Sequence, residues 1–175
     1  PWLRPLAWLF GWLGRVRRLG YRLRLFASGH PGVPVIVIGN ISVGGTGKTP
    51  LAIWLARTLT AQGRKVGIVS RGYGGSANTA VIVQADSDPA MVGDEALLLA
   101  RHGGVPVCVA RQRVRGARLL ASQGCDVIIA DDGLQHLALR RDVEIAVVDA
   151  VRGFGNGALL PAGPLREPLE RLAQM

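Results

Sequence analysis

The chain has 175 residues, of which 49% are hydrophobic, and a formal net charge of +9. This length suits one domain with a full hydrophobic core and is too short for two domains that each have such a core. Cys108 and Cys125 lie in or beside apolar segments, which favours buried, reduced thiols in a reducing compartment over a metal site. The first 85 residues contain eleven basic residues and no acidic one. This part of the chain therefore favours an anionic partner, such as a lipid surface, nucleic acid or a phosphorylated substrate.

Residues 1–30 are predicted to form an amphipathic helix at a membrane surface. Apolar residues recur at helical spacing from Trp2 to Val16, and arginines follow at positions 15, 17, 18, 22 and 24. The longest uncharged run, 5–14, has ten residues, about half of what a membrane-spanning helix needs. Most of the positive charge follows the apolar part, whereas a signal peptide has its charge first.

Aromatic and arginine-rich amphipathic segments are typical of the membrane interface, where arginines contact anionic headgroups. We therefore expect residues 1–28 to contact the membrane. A helix packed on the core of the protein is the alternative interpretation. Nucleic acid is not an expected partner, because the chain carries no recognised nucleic-acid motif.

Residues 31–175 are predicted to form an α/β domain. Apolar segments typical of buried strands lie at 35–39, 65–70, 81–83, 105–109, 126–132 and 143–149, and helical patterns follow several of them at 51–63, 93–100 and 111–123. Continuous apolar strands that alternate with helices predict a mostly parallel sheet with helices on both faces. Ligands of such sheets bind at the carboxyl ends of the strands, so we expect the site there.

A phosphate-binding P-loop is predicted directly after the first strand. The order of apolar strand, glycine-rich loop, Gly-Lys-Thr and helix is typical of this loop, whose N–H groups and helix N terminus hold phosphates. Lys48 would reach the outer phosphates, and the Thr49 hydroxyl would hold a magnesium ion. The predicted nucleotide-binding residues are Ser42, Val43, Gly44, Gly45, Thr46, Gly47, Lys48 and Thr49.

The loop departs from the strict P-loop pattern at position 42, where Ser42 stands in place of glycine. Gly44 and Gly45 supply flexibility inside the loop, so we interpret it as a variant P-loop. Only two of the 21 basic residues are lysines, and one of them is Lys48, which supports this interpretation. A glycine-rich turn without a ligand is the alternative.

Further polar residues follow other predicted strands. Asp131 and Asp132 come after four apolar residues, as in the Walker B arrangement, where a carboxylate beside the P-loop holds magnesium. Arg71 follows the second strand and could clamp a phosphate. Asp94 and Glu95 open a helix, where the helix dipole favours carboxylates without any catalytic role.

Several motifs, taken in order, resemble the tetraacyldisaccharide 4′-kinase family, the lipid A 4′-kinases of Gram-negative bacteria. The resemblance covers nearly the whole chain, and its second half is more specific than the P-loop. The motifs are Gly39-Asn40 with 42–50, Ser-Arg-Gly-Tyr-Gly at 70–74, Gly-Asp-Glu at 93–95, Asp-Asp-Gly-Leu-Gln-His at 131–136, and the run 152–167 that contains Arg-Gly-Phe-Gly-Asn-Gly and Leu-Pro-Ala-Gly-Pro-Leu-Arg-Glu.

The resemblance implies transfer of the γ-phosphate of ATP to the 4′-hydroxyl of tetraacyldisaccharide 1-phosphate, at the cytoplasmic face of the bacterial inner membrane. Asp94 matches the catalytic carboxylate of the family, which would accept the proton of the sugar hydroxyl. Lys48 would stabilise charge on the transferred group. Glu95, Asp131 and Asp132 match acidic positions expected around Mg²⁺, with Thr49 as a further ligand. Arg166 and Glu167 match a late motif near the site, and the resemblance assigns His136 no chemical role.

One departure from the family concerns the second lobe. Members of the family carry a second lobe, and a histidine from it pairs with the catalytic aspartate. None of His30, His102 and His136 matches that histidine. The chain is therefore expected to be an N-terminal fragment or a truncated form that binds ATP but turns over poorly, because an open site does not exclude water.

Two other classes of protein share part of this pattern. One is a P-loop ligase that uses ATP on a small soluble substrate, which would not need residues 1–28. The other is a membrane-associated nucleotide switch, which predicts slow ATP hydrolysis without a lipid acceptor. Neither accounts for the motifs at 131–136 and 152–167.

Overall fold

The computed structural model describes residues 2–175, so Pro1 of the predicted N-terminal helix lies outside it. Six strands and five α-helices alternate along most of the chain, and a short 3₁₀ helix ends it. In chain order the elements are α1 (Arg4–Arg22), β1 (Val35–Gly39), α2 (Lys48–Ala61), β2 (Val66–Ser70), β3 (Val81–Val83), α3 (Pro89–Val92), α4 (Asp94–Gly103), β4 (Val107–Val109), α5 (Arg113–Ser122), β5 (Val127–Ala130), β6 (Val143–Ala146) and the 3₁₀ helix (Leu169–Gln174).

The six strands form one sheet in the order β3-β4-β2-β5-β1-β6. All neighbours pair in parallel except the edge strand β3, which runs antiparallel to β4. Every parallel strand therefore points its carboxyl end to the same edge of the sheet. The predicted mostly parallel α/β fold is confirmed.

Helices cover both faces of the sheet, because the strands are apolar on both sides. On one face, Ile38, Ile68 and Ile129 pack among buried residues of α2 and α4. On the other face, Val37 and Ile128 belong to a second buried cluster together with residues of α5. Cys108 and Cys125 are buried in this second cluster, as their apolar surroundings predicted.

Some elements have other bounds than their sequence patterns predicted, and one helix was missed. β6 stops at Ala146 rather than at residue 149, because the Asp149 carboxylate accepts hydrogen bonds from the N–H groups of Val151 and Arg152 and turns the chain. α3 was not predicted. Asp88 caps it through a hydrogen bond from the N–H of Ala90, and Gly93 then separates it from α4.

Helix α1 leaves most of its apolar side chains exposed. Only Ala7 and Gly20 are buried within it, whereas Trp8 is 76% and Trp12 is 58% exposed. In the described part of the chain, no helix has the length and hydropathy needed to cross a membrane. The predicted N-terminal helix is confirmed over Arg4–Arg22, whereas residues 23–30 of the predicted span are not helical. Its contact with a membrane stays a prediction.

Candidate functional site

The loop after β1, the predicted P-loop, has backbone features that a phosphate-binding loop would use. Gly44 (φ 106°) and Gly47 (φ 80°) adopt left-handed conformations that favour glycine, and α2 begins at Lys48 directly behind them. Ser42 does not need a left-handed backbone, and it forms a β-bridge with Leu165 instead. This bridge explains how serine is accommodated at a position where the strict pattern has glycine.

Lys48 is held between two residues of this edge. Its Nζ donates a hydrogen bond to Asn40 Oδ1 at 3.2 Å and lies 3.5 Å from Asp132 Oδ1. Asn40 is completely buried, and its Nδ2 donates to the carbonyl of Gly44 at 3.3 Å. Asn40 therefore connects the end of β1 to both the lysine and the loop that surrounds it.

The two adjacent aspartates after β5 point to different partners. Asp131 Oδ2 accepts a hydrogen bond from the Thr49 hydroxyl at 3.4 Å. Asp132 adopts a left-handed backbone (φ 48°) and faces cations, since Arg166 Nη1 lies 3.3 Å from its Oδ2. Burial, followed by the nearby charges of Glu95 and Asp132, raises the pKa of Asp131 to about 6.

These residues fit a magnesium ion bound together with a nucleotide. A hydroxyl and a carboxylate oxygen are ligands that Mg²⁺ accepts, with phosphates and waters completing its coordination. The buried Asp131, close to two other carboxylates, is a position where a cation would offset repulsion. Within residues 2–175 no cluster of three or more His, Cys, Asp or Glu side chains has the arrangement of a metal site, so protein ligands alone do not form a closed cage.

Arg71 lies in a polar pocket of about 480 Å³ beside Asp132. Arg113 lies at its wall, and its Nη2 donates to the carbonyls of Asp131 and Asp132 at 3.1 and 2.8 Å. The lining is strongly basic and includes one carboxylate: Arg17, Arg71, Arg111, Arg113, Asp132, Gln135, His136 and Arg166. Such a pocket suits an anionic group next to the P-loop.

His136 is neutral at physiological pH in this pocket. Burial, reinforced by the charge of Arg113 and other arginines, lowers its pKa to about 4. Its Nε2 is buried and has no hydrogen-bond partner within residues 2–175. This geometry gives the histidine no defined chemical role.

The loop after β2 is interlocked with the segment before α4. Gly93 (φ 83°) packs against the carbonyl of Tyr73, and a Cβ at Gly72 would lie 3.0 Å from the carbonyl of Val92. This contact joins the loop after β2, which begins at Arg71, to the start of α4, where Asp94 and Glu95 are exposed. Of these two carboxylates, Glu95 is close enough to Asp131 to raise its pKa.

The C-terminal part of the chain braces the P-loop. Val43 N–H donates to the carbonyl of Pro164 at 2.8 Å, and Arg166 N–H donates to that of Ile41 at 2.6 Å. Glu167 is buried, and its Oε1 accepts from Gln135 Nε2 at 2.9 Å. The motif at 152–167 therefore supports the loop that holds Lys48.

Three residues that shape this site were not predicted as site residues, although two of them, Asn40 and Arg152, lie in the quoted motifs. Asn40 carried the one available signal, a polar residue directly after an apolar strand. Arg113 is one of several arginines around α5, and nothing in its spacing distinguishes it. Arg152 donates to the carbonyl of Gly45 in the P-loop while Asp149 holds its guanidinium, a contact that no local pattern predicts.

Comparison with known proteins identifies relatives along the whole chain. The model of the tetraacyldisaccharide-1-P 4′-kinase family matches residues 1–175. The tetraacyldisaccharide 4′-kinase of Alkalilimnicola ehrlichii is 60% identical over 99% of this chain and 53% of its own length. That of Methylobacillus flagellatus is 56% identical over 97% of this chain and 51% of its own.

A solved structure agrees with these relatives. The crystal structure of LpxK from Aquifex aeolicus in complex with ATP has a TM-score of 0.85 and 34% identity, and the match covers 98% of this chain and 55% of that one. This chain thus spans about half the length of the curated relatives it matches. The chain belongs to the tetraacyldisaccharide-1-P 4′-kinase family.

Proposed function

We propose that this chain supplies the ATP-binding part of a kinase that phosphorylates the 4′-hydroxyl of tetraacyldisaccharide 1-phosphate in lipid A biosynthesis. The observation that carries the proposal is the pairing of Lys48 with Asp132 and of Thr49 with Asp131 at one edge of the sheet. The names of the curated relatives support the reaction, and the ATP in the structure of the Aquifex relative supports the phosphate donor.

The P-loop residues 42–49 would hold the phosphates of ATP, and Arg71 would contact them from the adjacent pocket. Lys48 would leave Asn40 and Asp132 and stabilise the charge on the transferred group. Thr49 and Asp131 would hold Mg²⁺, with Glu95 and Asp132 as the surrounding carboxylates. The bound Mg²⁺ would neutralise part of the phosphate charge.

Asp94 would accept the proton of the acceptor hydroxyl as it attacks the phosphorus. Its position at the exposed N terminus of α4 supports this role, because an acceptor can approach it from solvent. The same openness implies that catalysis needs a further element that excludes water from the site. In the family, the second lobe would supply that element.

The N-terminal unit, residues 1–30, would bring the site to its lipid substrate. Residues 1–28 would lie on the cytoplasmic face of the inner membrane as a peripheral anchor, and residues 31–175 would form the kinase domain. The exposed apolar side chains of α1, including Trp8 and Trp12, support this arrangement.

A phosphorylation assay tests the proposal. The complete gene product that carries this sequence is incubated with γ-labelled ATP, magnesium and tetraacyldisaccharide 1-phosphate in detergent. We expect label in the lipid, and its loss in D94N. The control D86N removes a carboxylate from an exposed turn and should retain activity. Label released as free phosphate, without lipid phosphorylation, would contradict the proposal and favour a nucleotide switch.

A further inference from the structure

A second basic cavity lies away from the P-loop. It has a volume of about 950 Å³ between the second half of α1, the segment after it, the start of β6 and the 3₁₀ helix. Arg140 and Arg141 precede β6, whereas the P-loop follows β1. Because β1 and β6 are parallel, these residues lie at the opposite edge of the sheet from the P-loop.

The charges in this cavity are not balanced by the protein. Six arginines line it with a single carboxylate, that of Glu144: they are Arg18, Arg22, Arg24, Arg140, Arg141 and Arg171. Glu144 already pairs with Arg141 at 2.9 Å and with Arg171 at 2.5 Å. Arg18 pairs with Glu167.

Three arginines are left over. Arg22, Arg24 and Arg140 form no ion pair within residues 2–175 and are exposed to solvent. Arg24 also has a left-handed backbone (φ 58°), which is uncommon for a residue other than glycine. Like charges brought together in this way repel each other unless an anion lies between them.

The segment that follows α1 carries three exposed apolar side chains beside the cavity, and of these three only Phe26 lines it. Leu23 is 60%, Leu25 is 74% and Phe26 is 48% exposed. Phe26 itself lines the cavity, where its ring packs against Tyr21 with centroids 5.2 Å apart. The basic cavity therefore adjoins an apolar rim, formed by Leu23, Leu25 and Phe26, on the segment that directly follows the amphipathic helix.

We propose that this cavity binds the anionic headgroup of one phospholipid, with the acyl chains lying against the apolar rim. Arginine guanidinium groups bind phosphate oxygens through paired hydrogen bonds, and basic residues beside an amphipathic helix select anionic lipids. A free phosphate would use the arginines but would leave the rim without a partner. The inference rests on the proposal that α1 lies on a membrane. It adds a specific lipid site, and some residues of that site, such as Arg140, lie outside α1.

Arg140 provides the test, because it belongs to the cavity but not to residues 1–28. Sedimentation of the complete gene product with vesicles is measured for the wild type, R140Q and R64Q. Arg64 is an exposed arginine between α2 and β2 and does not line the cavity, so R64Q is the control of equal charge. With vesicles that contain phosphatidylglycerol, R140Q should bind about five-fold more weakly, whereas R64Q should bind as the wild type does. Pure phosphatidylcholine vesicles should not distinguish the variants.

A soluble lipid separates this site from general membrane attachment. Dihexanoyl phosphatidylglycerol, kept below its micelle concentration, should bind with one molecule per chain in calorimetry, and R140Q should weaken it. Equal vesicle binding by R140Q and R64Q, with no calorimetric signal, would overturn the lipid site while α1 could still bind membranes. Calorimetric binding without vesicle binding would support the site and overturn the membrane proposal. Inorganic phosphate that binds as tightly as the lipid would overturn the assignment to phospholipid.

Discussion

Arg18 Nη1 lies 3.5 Å from Glu167 Oε2, although the two residues are 149 positions apart. The pair ties helix α1 to the segment that braces the P-loop. Glu167 also accepts from Gln135 Nε2, and its neighbour Arg166 pairs with Asp132. The amphipathic helix and the Asp132 carboxylate are therefore attached to consecutive residues, which connects α1 structurally to the nucleotide site.

The two residues of this ion pair should contribute unequally to the free energy of unfolding. Glu167 is buried and partners several groups, so E167Q should lower the free energy of unfolding by about 1–3 kcal/mol. Arg18 is partly exposed, so R18Q should lower it by less than about 1 kcal/mol. Urea denaturation of both variants measures the difference. Equal losses would show that Glu167 acts only through Arg18.

The glycine at position 93 should be required both for its close contact and for its backbone conformation, because φ 83° with ψ 150° is essentially restricted to glycine. Any Cβ at Gly93 would clash with the carbonyl of Tyr73, so G93A should push the loop after β2 away from Asp94. Gly63 has the same φ of 83° but open space around it, so G63A serves as the control for placing a β-carbon at a positive φ. We expect G93A to reduce the melting temperature and the phosphoryl-transfer rate more than G63A does. Similar effects of the two variants would contradict the interlocking of these loops.

Arg152 should help to organise the P-loop before nucleotide binds. Its guanidinium donates to the carbonyl of Gly45 and is held by Asp149. R152A should therefore leave the loop more mobile and weaken binding of a non-hydrolysable ATP analogue by about three- to tenfold. Arg101 also donates to a backbone carbonyl, that of Ala85, at an exposed position, so R101A is the control. Calorimetry that gives the same dissociation constant for both variants would argue against this role.

His136 should make stability fall in mild acid. Its pKa in the folded protein is about 4, well below the ordinary value of 6.5, because burial disfavours the charged ring. At this residue the unfolded chain therefore binds more protons than the folded one between these two values. The stabilisation is complete above about pH 6.5 and is lost as the pH falls toward 4. Urea denaturation at several pH values should show a shallower acid-side decline for H136Q than for the wild type, and identical profiles would contradict the pKa assignment.

Local patterns in the sequence were sufficient to predict the strands, the glycine-rich loop after β1 and the edge of the sheet where polar residues gather. Apolar periodicity reports which segments are buried, and the spacing of Gly47, Lys48 and Thr49 is a property of adjacent residues. The placement of Asp131 and Asp132 beside the P-loop followed from the rule that parallel strands end at one edge. The helical conformation of α1 also followed from the spacing of its own apolar residues.

Only the tertiary structure decided which partners these residues have. Asp131 faces Thr49 while Asp132 faces Lys48 and Arg166, because the left-handed backbone of Asp132 turns its side chain away from that of its neighbour. Arg18 and Glu167 are 149 positions apart in the sequence. Their contact depends on how the whole chain packs, and no periodic pattern in the sequence predicts a contact between residues so far apart. The sequence by itself therefore determined which elements form and where the glycine-rich loop lies, whereas long-range packing determined how α1, the aspartates and the C-terminal motif meet around it.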